Sequence, residues 1–258
     1  MTILILGGTS EARTLAAHLV SAHLPVVSSL AGRVSAPVLP AGPVRVGGFG
    51  GVDGLVDYLA AAAITGILDA THPFAAQISE RAAAAAARTG LPLVRLERPS
   101  WREHPEAAHW TWVADADAAR DASRGRRPFL TTGRGSLATF VSWTDRDVLF
   151  RVVDPPGIAL PPRWTVLRAR GPYDLAAERQ LMVDHGVDTL ITKDSGGPLT
   201  AAKLNAAREL GVPVVVIERP PRTGSVPTVA TVSEVLAIVT SSTWPQRTLE
   251  QQDLSAER

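Results

Sequence analysis

Residues 3–19 read ILILGGTSEARTLAAHL, and this stretch decides the fold. The apolar run Ile3–Leu6 stops at the Gly7-Gly8 pair and gives way to an amphipathic helix starting at Ser10. Short unbroken apolar runs are what a parallel sheet requires when both of its faces are covered. Strand, Gly-rich turn and helix in direct succession open a doubly wound α/β sheet, in which the backbone N–H groups at the helix N-terminus face the pyrophosphate of a dinucleotide. The spacing departs from G-x-G-x-x-G, with Thr9 at the second glycine position and Ala12 at the third. The hydroxyls of Thr9 and Ser10 either hydrogen-bond phosphate or cap the helix, and Arg13 stands in the first turn within reach of an anion.

Outward from that turn, β-branched runs keep alternating with Ala-rich helical segments, the pattern of repeated βα units. Strands are expected at 2–6, 25–30, 44–46, 66–70 and 91–96, and helices at 10–21, 52–63 and 75–89, the last ending at Gly90 before Pro92. From Arg98 to Arg127 the chain turns Trp-, Pro- and charge-rich, as a crossover would. Strands are then expected at 148–153, 164–168, 189–192 and 214–218, with helices at 136–143, 175–185, 199–210 and 232–239. The expected fold class is α/β, with two Rossmann-like parallel-sheet halves: an N-terminal half over 1–126, a C-terminal half over 127–243 and a fraying polar tail over 244–258.

The end of the second strand bears on the cofactor. An NAD-binding unit carries Asp or Glu about 20 residues past its glycines to take the ribose hydroxyls. Here stand Ser28 and Ser29, followed by Gly32-Arg33. An arginine there grips a 2′-phosphate bidentately, which favours NADPH over NADH, the other reading being a solvated surface arginine.

Composition narrows the class. With 258 residues, 45% hydrophobic and 20% charged, the chain is that of an ordinary globular protein. The apolar stretch near its start is too short for a signal segment or a membrane span, so a cytoplasmic location is expected. The chain has no cysteine, which removes disulfides, thiolate metal sites and a cysteine nucleophile. A net charge of +1 gives no global field for nucleic acid. No metal site, nucleic-acid partner or membrane partner is expected, and the chain is read as a monomer or weak homo-oligomer.

At the end of the fourth strand LDATHPFA places Thr71, His72, Pro73 and Phe74 on the sheet edge where open α/β folds bind ligands. Thr71 and His72 either shape a nicotinamide pocket or serve as a cap and a structural histidine. Four further segments, LVRLERPSW (93–101), TTGR (131–134), RGPY (170–173) and ITKDSGG (191–197), occur in this order after GGTSEAR. Together they resemble the precorrin-6A reductase family over about residues 1 to 240.

The resemblance implies an enzyme of cobalamin biosynthesis that uses NADPH to reduce one carbon-carbon double bond of the tetrapyrrole precorrin-6A, giving precorrin-6B. Relatives in the cobalt-first pathway act on cobalt-precorrin-6A. It also implies a ligand cleft between the two halves. A broad apolar ring bearing many carboxylates asks for guanidinium groups, backbone amides and flat apolar faces. Arg95, Arg98, Trp101, Arg134, Arg170 and Tyr173 lie within the resembling motifs and are candidate substrate contacts. In ITKDSGG, Lys193 and Ser195, with the Gly196 amide, are candidates for holding a substrate carboxylate or orienting the cofactor, with Asp194 fixing the lysine or holding a pyrrole N–H, so that Lys193 and Asp194 join His72 and Tyr173 as candidate catalytic residues; a turn-stabilising Lys-Asp pair is the alternative. The cofactor set is Gly7, Gly8, Thr9, Ser10, Arg13, Arg33, Thr71 and His72. The proton that accompanies hydride comes from His72, Tyr173, Asp194 or ordered water. Tyr58 and Tyr173 lack the following lysine of a short-chain dehydrogenase. The rival enzyme class is a cofactor-free tetrapyrrole synthase of the uroporphyrinogen III synthase type, against which GGTSEAR and Arg33 argue; a non-catalytic nucleotide-sensing domain is the rival binding module.

Overall fold

The computed structural model describes residues 2–32, 36–222, 224–241 and 244. In chain order they form β1 (Thr2–Leu6), α1 (Ser10–Ser21), β2 (Val26–Leu30), β3 (Val44–Val46), α2 (Val52–Ala61), β4 (Ile64–Asp69), α3 (Ala76–Thr89) and β5 (Leu93–Leu96). Next come β6 (Thr111–Val113), α4 (Ala116–Ala122), β7 (Pro128–Leu130), α5 (Leu137–Phe140), β8 (Leu149–Val152) and β9 (Thr165–Arg168). The chain continues with α6 (Leu175–Asp184), β10 (Thr189–Lys193), α7 (Ala202–Glu209), β11 (Val214–Ile217), β12 (Thr228–Val229) and α8 (Val232–Val239).

The strands build two six-stranded sheets, β12-β5-β4-β1-β2-β3 and β6-β11-β10-β7-β8-β9. Every pairing in both is parallel. The α/β class with two parallel-sheet halves is therefore as the sequence pattern indicates. In each sheet the strand order reverses direction beside a central strand, β1 in one and β7 in the other. That reversal defines a switch point, where ligands bind at the carboxyl ends of the strands.

The alternation of side chains along β1 explains why its buried run Ile3–Leu6 has no polar residue. Ile3 and Ile5 pack with Leu15 and Leu19 of α1 and with Val235 and Val239 of α8. Leu4 and Leu6 point the other way, onto Leu55 and Leu59 of α2 and Ala82 and Ala85 of α3. Trp244 closes the first of these clusters. A Cβ on Gly66 would lie 2.3 Å from the Trp244 Cζ2 atom, so the glycine in β4 makes room for the indole.

The boundary expected after residue 126 is corrected by the structure. One compact unit comprises Met1–Arg98 together with the segment from Pro221 onward, and the other Pro99–Pro220. The cause is the sixth strand of each sheet, which joins out of sequence. β6, inside the stretch expected to be a bare crossover, pairs with β11, while β12 returns from the far end of the chain to pair with β5. Helix α8, expected in the C-terminal half, packs on α1 in the first unit. Of the expected polar tail only Trp244 is described, and it is buried rather than fraying; residues 245–258 lie outside the described residues.

The two connections share a sequence. PLVRLERP (92–99) carries β5 out of the first unit and PVVVIERP (213–220) carries β11 out of the second. Both strands occupy the same place in their sheets, next to β4 and β10 respectively. Among the described residues, no helix is long and apolar enough to cross a membrane.

Candidate functional site

In the first unit the turn between β1 and α1 is built on two glycines with different jobs. A Cβ on Gly7 would stand 3.4 Å from the Ala12 Cβ and 3.7 Å from the Ser29 carbonyl oxygen, so this glycine lets the helix seat closely on the strand. Gly8 adopts φ 116°, a region that side chains disfavour, and faces open space. The Thr9 hydroxyl is fully employed: it accepts from the Ala12 N–H at 3.1 Å and donates to the Ala70 carbonyl at 2.7 Å. Thr9 therefore caps α1 and ties the turn to the end of β4, and the backbone N–H groups are what the turn offers to an anion. The Ser10 hydroxyl bonds Glu11 Oε2, and Arg98 Nη1 donates to Glu11 Oε1 at 3.0 Å. The Arg13 side chain, half-buried, makes no hydrogen bond or ion pair among the described residues. A small recess here is lined by Thr9, Glu11, Thr71, Pro73, Leu96 and Arg98.

At the end of β4 stands Asp69, 1% exposed. Its Oδ1 accepts from the Thr71 N–H at 3.2 Å and the Thr71 hydroxyl at 2.7 Å, and its Oδ2 takes Arg95 Nε at 3.3 Å. The Thr71 and Ser79 hydroxyls lie 3.2 Å apart. Arg95 is thus sealed inside the first unit, 5% exposed, holding the β4 and β5 ends together rather than facing a ligand. His72 Nδ1 accepts from the Phe74 N–H at 3.2 Å, which in the neutral ring leaves Nε2 as the protonated nitrogen.

At the β2–β3 edge, Arg45 Nη1 donates to the Ser29 hydroxyl at 2.8 Å and to the Gly47 carbonyl at 3.0 Å, and Nη2 donates to the Gly48 carbonyl at 3.0 Å. Its guanidinium carbon lies 3.8 Å from the Phe49 ring centroid. Arg33, the expected partner of a 2′-phosphate, lies outside the described residues.

In the second unit, Asp194 gathers the motifs PSW and KDSGG. Its carboxylate, 4% exposed, accepts from the Ser100 hydroxyl at 2.6 Å, the Trp101 N–H at 3.0 Å and Arg219 Nε at 3.1 Å. The Trp101 indole N–H donates to the Gly197 carbonyl at 3.1 Å, and Lys203 Nζ sits 4.6 Å from a Trp101 ring centroid. Lys193 and Ser195 flank Asp194 and are partly exposed, while Gly196 is buried. Arg170 is exposed, and Arg134 lies 3.8 Å from Asp154. Tyr173 rests on Arg151, whose guanidinium carbon is 4.2 Å from its ring centroid. Burial pushes the Tyr173 phenol up from its ordinary pKa, against the opposing pull of the Arg151 charge.

The candidate residues thus fall into two groups. Gly7, Gly8, Thr9, Ser10, Arg13, Thr71 and His72 share one sheet edge with Arg95 and Arg98 in the first unit. Trp101, Arg134, Arg170, Tyr173, Lys193, Asp194, Ser195 and Gly196 belong to the second. Sequence reasoning missed Glu11, Arg45, Asp69, Arg151 and Arg219. The repeated Glu-Arg-Pro would have drawn attention to Arg219 as the counterpart of Arg98, since each arginine holds a carboxylate of its own unit.

Comparison with known proteins adds the context. Residues 2–240 match the model of the family described as Precorrin-6x reductase CbiJ/CobK. The chain is 52% identical over 240 residues to Precorrin-6A reductase of Rhodococcus erythropolis, covering 92% of this chain and 96% of the relative. It is 29% identical to Cobalt-precorrin-6A reductase of Priestia megaterium, over 84% of this chain and 90% of that one. A solved structure titled CobK precorrin-6A reductase superimposes with a TM-score of 0.87 at 40% identity, covering 93% of this chain and 96% of the other.

Proposed function

The chain belongs to the precorrin-6x reductase family, and on that premise we propose that it reduces precorrin-6A to precorrin-6B with NADPH in cobalamin biosynthesis. The observation that carries the cofactor reading is the β1–α1 turn at the switch point of a doubly wound sheet, combined with the absence of an acid at the end of β2. Ser28 and Ser29 are buried there, where a carboxylate would otherwise select NADH. The residues present fit such a dinucleotide: Gly8 leaves open space at the helix N-terminus, and Thr9 caps the helix without filling it.

When bound, NADPH supplies the hydride. The protein's part is to position the ring carbon, exclude water and provide a proton. His72 is the candidate donor in the first unit, because the Phe74 N–H occupies Nδ1 and leaves the proton on Nε2. Tyr173 is the candidate in the second, its raised pKa keeping the phenol protonated at neutral pH. Asp194 acts as an anchor, since its oxygens already accept from three donors. Arg95 likewise supports the sheet, and Arg98 offsets the Glu11 charge beside the pyrophosphate turn. Lys193, Ser195, Arg134 and Arg170 remain the groups suited to substrate carboxylates.

The test is anaerobic incubation of the purified chain with precorrin-6A and either NADPH or NADH. NADPH is expected to be oxidised in step with a product heavier by two hydrogens, and NADH to be a poor substitute. Unchanged precorrin-6A in the presence of bound NADPH would refute the proposal. Cobalt-precorrin-6A offered in the same assay distinguishes the two pathway branches.

A further inference from the structure

Arg45 differs from the other well-held arginines of the first unit in what holds it. Arg88, Arg95, Arg98 and Arg222 each face a carboxylate, those of Asp53, Asp69, Glu11 and Glu97. The partners of Arg45 among the described residues are neutral: the Ser29 hydroxyl, two glycine carbonyls and the rings of Phe49 and Tyr58. Its orientation is fixed, and among the described residues no carboxylate pairs with its charge. Because Ser29 Oγ accepts from Arg45, the serine hydrogen remains available to an anion.

The position adds meaning to the charge. Ser29, the penultimate residue of β2, pairs with Leu6 on one side and with Arg45 on the other. In a doubly wound sheet the ribose of the bound nucleotide lies at this strand end, about 20 residues past the glycine turn. The chain beyond Arg45 runs through Gly47-Gly48-Phe49-Gly50-Gly51, and a Cβ on any of these four glycines would meet nothing within 4 Å. The flank of the Arg45–Ser29 pair is therefore open to a ligand.

We infer that Arg45, acting with Ser29, is the residue that selects the 2′-phosphate and so makes the chain discriminate NADPH from NADH. This rests on the cofactor reading given above and goes beyond it by naming the discriminating side chain, which the sequence pattern alone would place at Arg33. The contact is electrostatic and directional: a fixed guanidinium and a hydroxyl hydrogen serve a dianion, and neither has that target in NADH.

Equilibrium titration of the purified chain with NADPH and with NADH, read by the fluorescence of the reduced nicotinamide and without tetrapyrrole, tests the assignment. The unaltered chain is expected to prefer NADPH. Arg45→Gln is expected to weaken NADPH by roughly tenfold to a hundredfold while NADH changes by less than about twofold. Ser29→Asp, which leaves the Arg45 carbonyl contacts in place and so keeps the test alive if Arg45→Gln does not fold, is expected to lower the NADPH preference by setting a carboxylate against the phosphate. An unchanged NADPH-to-NADH ratio in both variants would overturn the assignment and leave Arg33 as selector. Equal loss for both nucleotides would also overturn it, marking Arg45 as a support for the glycine loop. If the unaltered chain binds both equally or neither, the cofactor reading itself fails and this inference with it.

Discussion

Replacing Asp194 by alanine is expected to lower the stability of the second unit by about 3–5 kcal/mol, the cost of leaving a buried charge without its partner, and to abolish turnover. The carboxylate is 4% exposed and Arg219 15%. Removing it takes the carboxylate partner from that guanidinium, which keeps its bonds to the Asp194 and Pro99 carbonyls, and leaves the Ser100 hydroxyl and the Trp101 N–H without the acceptor they now share. Asparagine does not restore the site, because its amide nitrogen would turn a donor toward donors. The loss should appear in urea unfolding as a lower midpoint with an unchanged slope. Reductase rates should fall because Lys193 and Ser195 lie on the turn that Asp194 fastens to PSW. Full activity in Asp194→Ala would show that the PSW–KDSGG connection is dispensable.

The buried pair Arg151–Glu178 provides the second large effect, with a sign that depends on whether one partner or both are removed. Arg151 Nη2 donates to Glu178 Oε1 at 2.6 Å, both side chains being about 5% exposed or less. Arg151 Nε and Nη1 and Glu178 Oε2 find no hydrogen-bond partner among the described residues. A pair so incompletely satisfied returns little of its desolvation cost. Glu178→Leu alone is expected to destabilise by about 3–5 kcal/mol, whereas Glu178→Leu combined with Arg151→Met should lie between neutral and about 4 kcal/mol more stable than the original. Chemical denaturation of both singles and the double measures the coupling. The charge also reaches Tyr173. Glu178 helps raise the phenol pKa and Arg151 lowers it, so Glu178→Leu should move the Tyr173 titration downward in an alkaline absorbance scan. An additive double mutant with an unmoved Tyr173 would contradict this description of the cluster.

Much of the fold was legible because local pattern and global topology agree in the first 96 residues. The run ILIL needs two covered faces, and α1 and α8 on one side with α2 and α3 on the other provide them. The boundary was illegible for a physical reason. β6 is three residues long and β12 two, too short to show a period, and each pairs with a strand far away in sequence, β11 and β5 respectively. The glycine turn was legible because it is contiguous. The partner of Thr9 at Ala70, the clasp of Asp69 on Arg95 and the contact of Arg45 with Ser29 depend on strand register, which the sequence pattern left unassigned. Asp194 was legible as a member of ITKDSGG, but its role changes once its three donors are seen, because a carboxylate so occupied positions neighbours.

Isotopic labelling tests the proposed hydride transfer from NADPH to the tetrapyrrole. Precorrin-6A is incubated anaerobically with the chain and NADPH deuterated at C4 of the nicotinamide, once in the 4R and once in the 4S position, and the product is analysed by mass and NMR. One of the two labels is expected at a single ring carbon, with the second hydrogen drawn from solvent. A reduced product in which both hydrogens come from solvent, with neither label transferred, would contradict it.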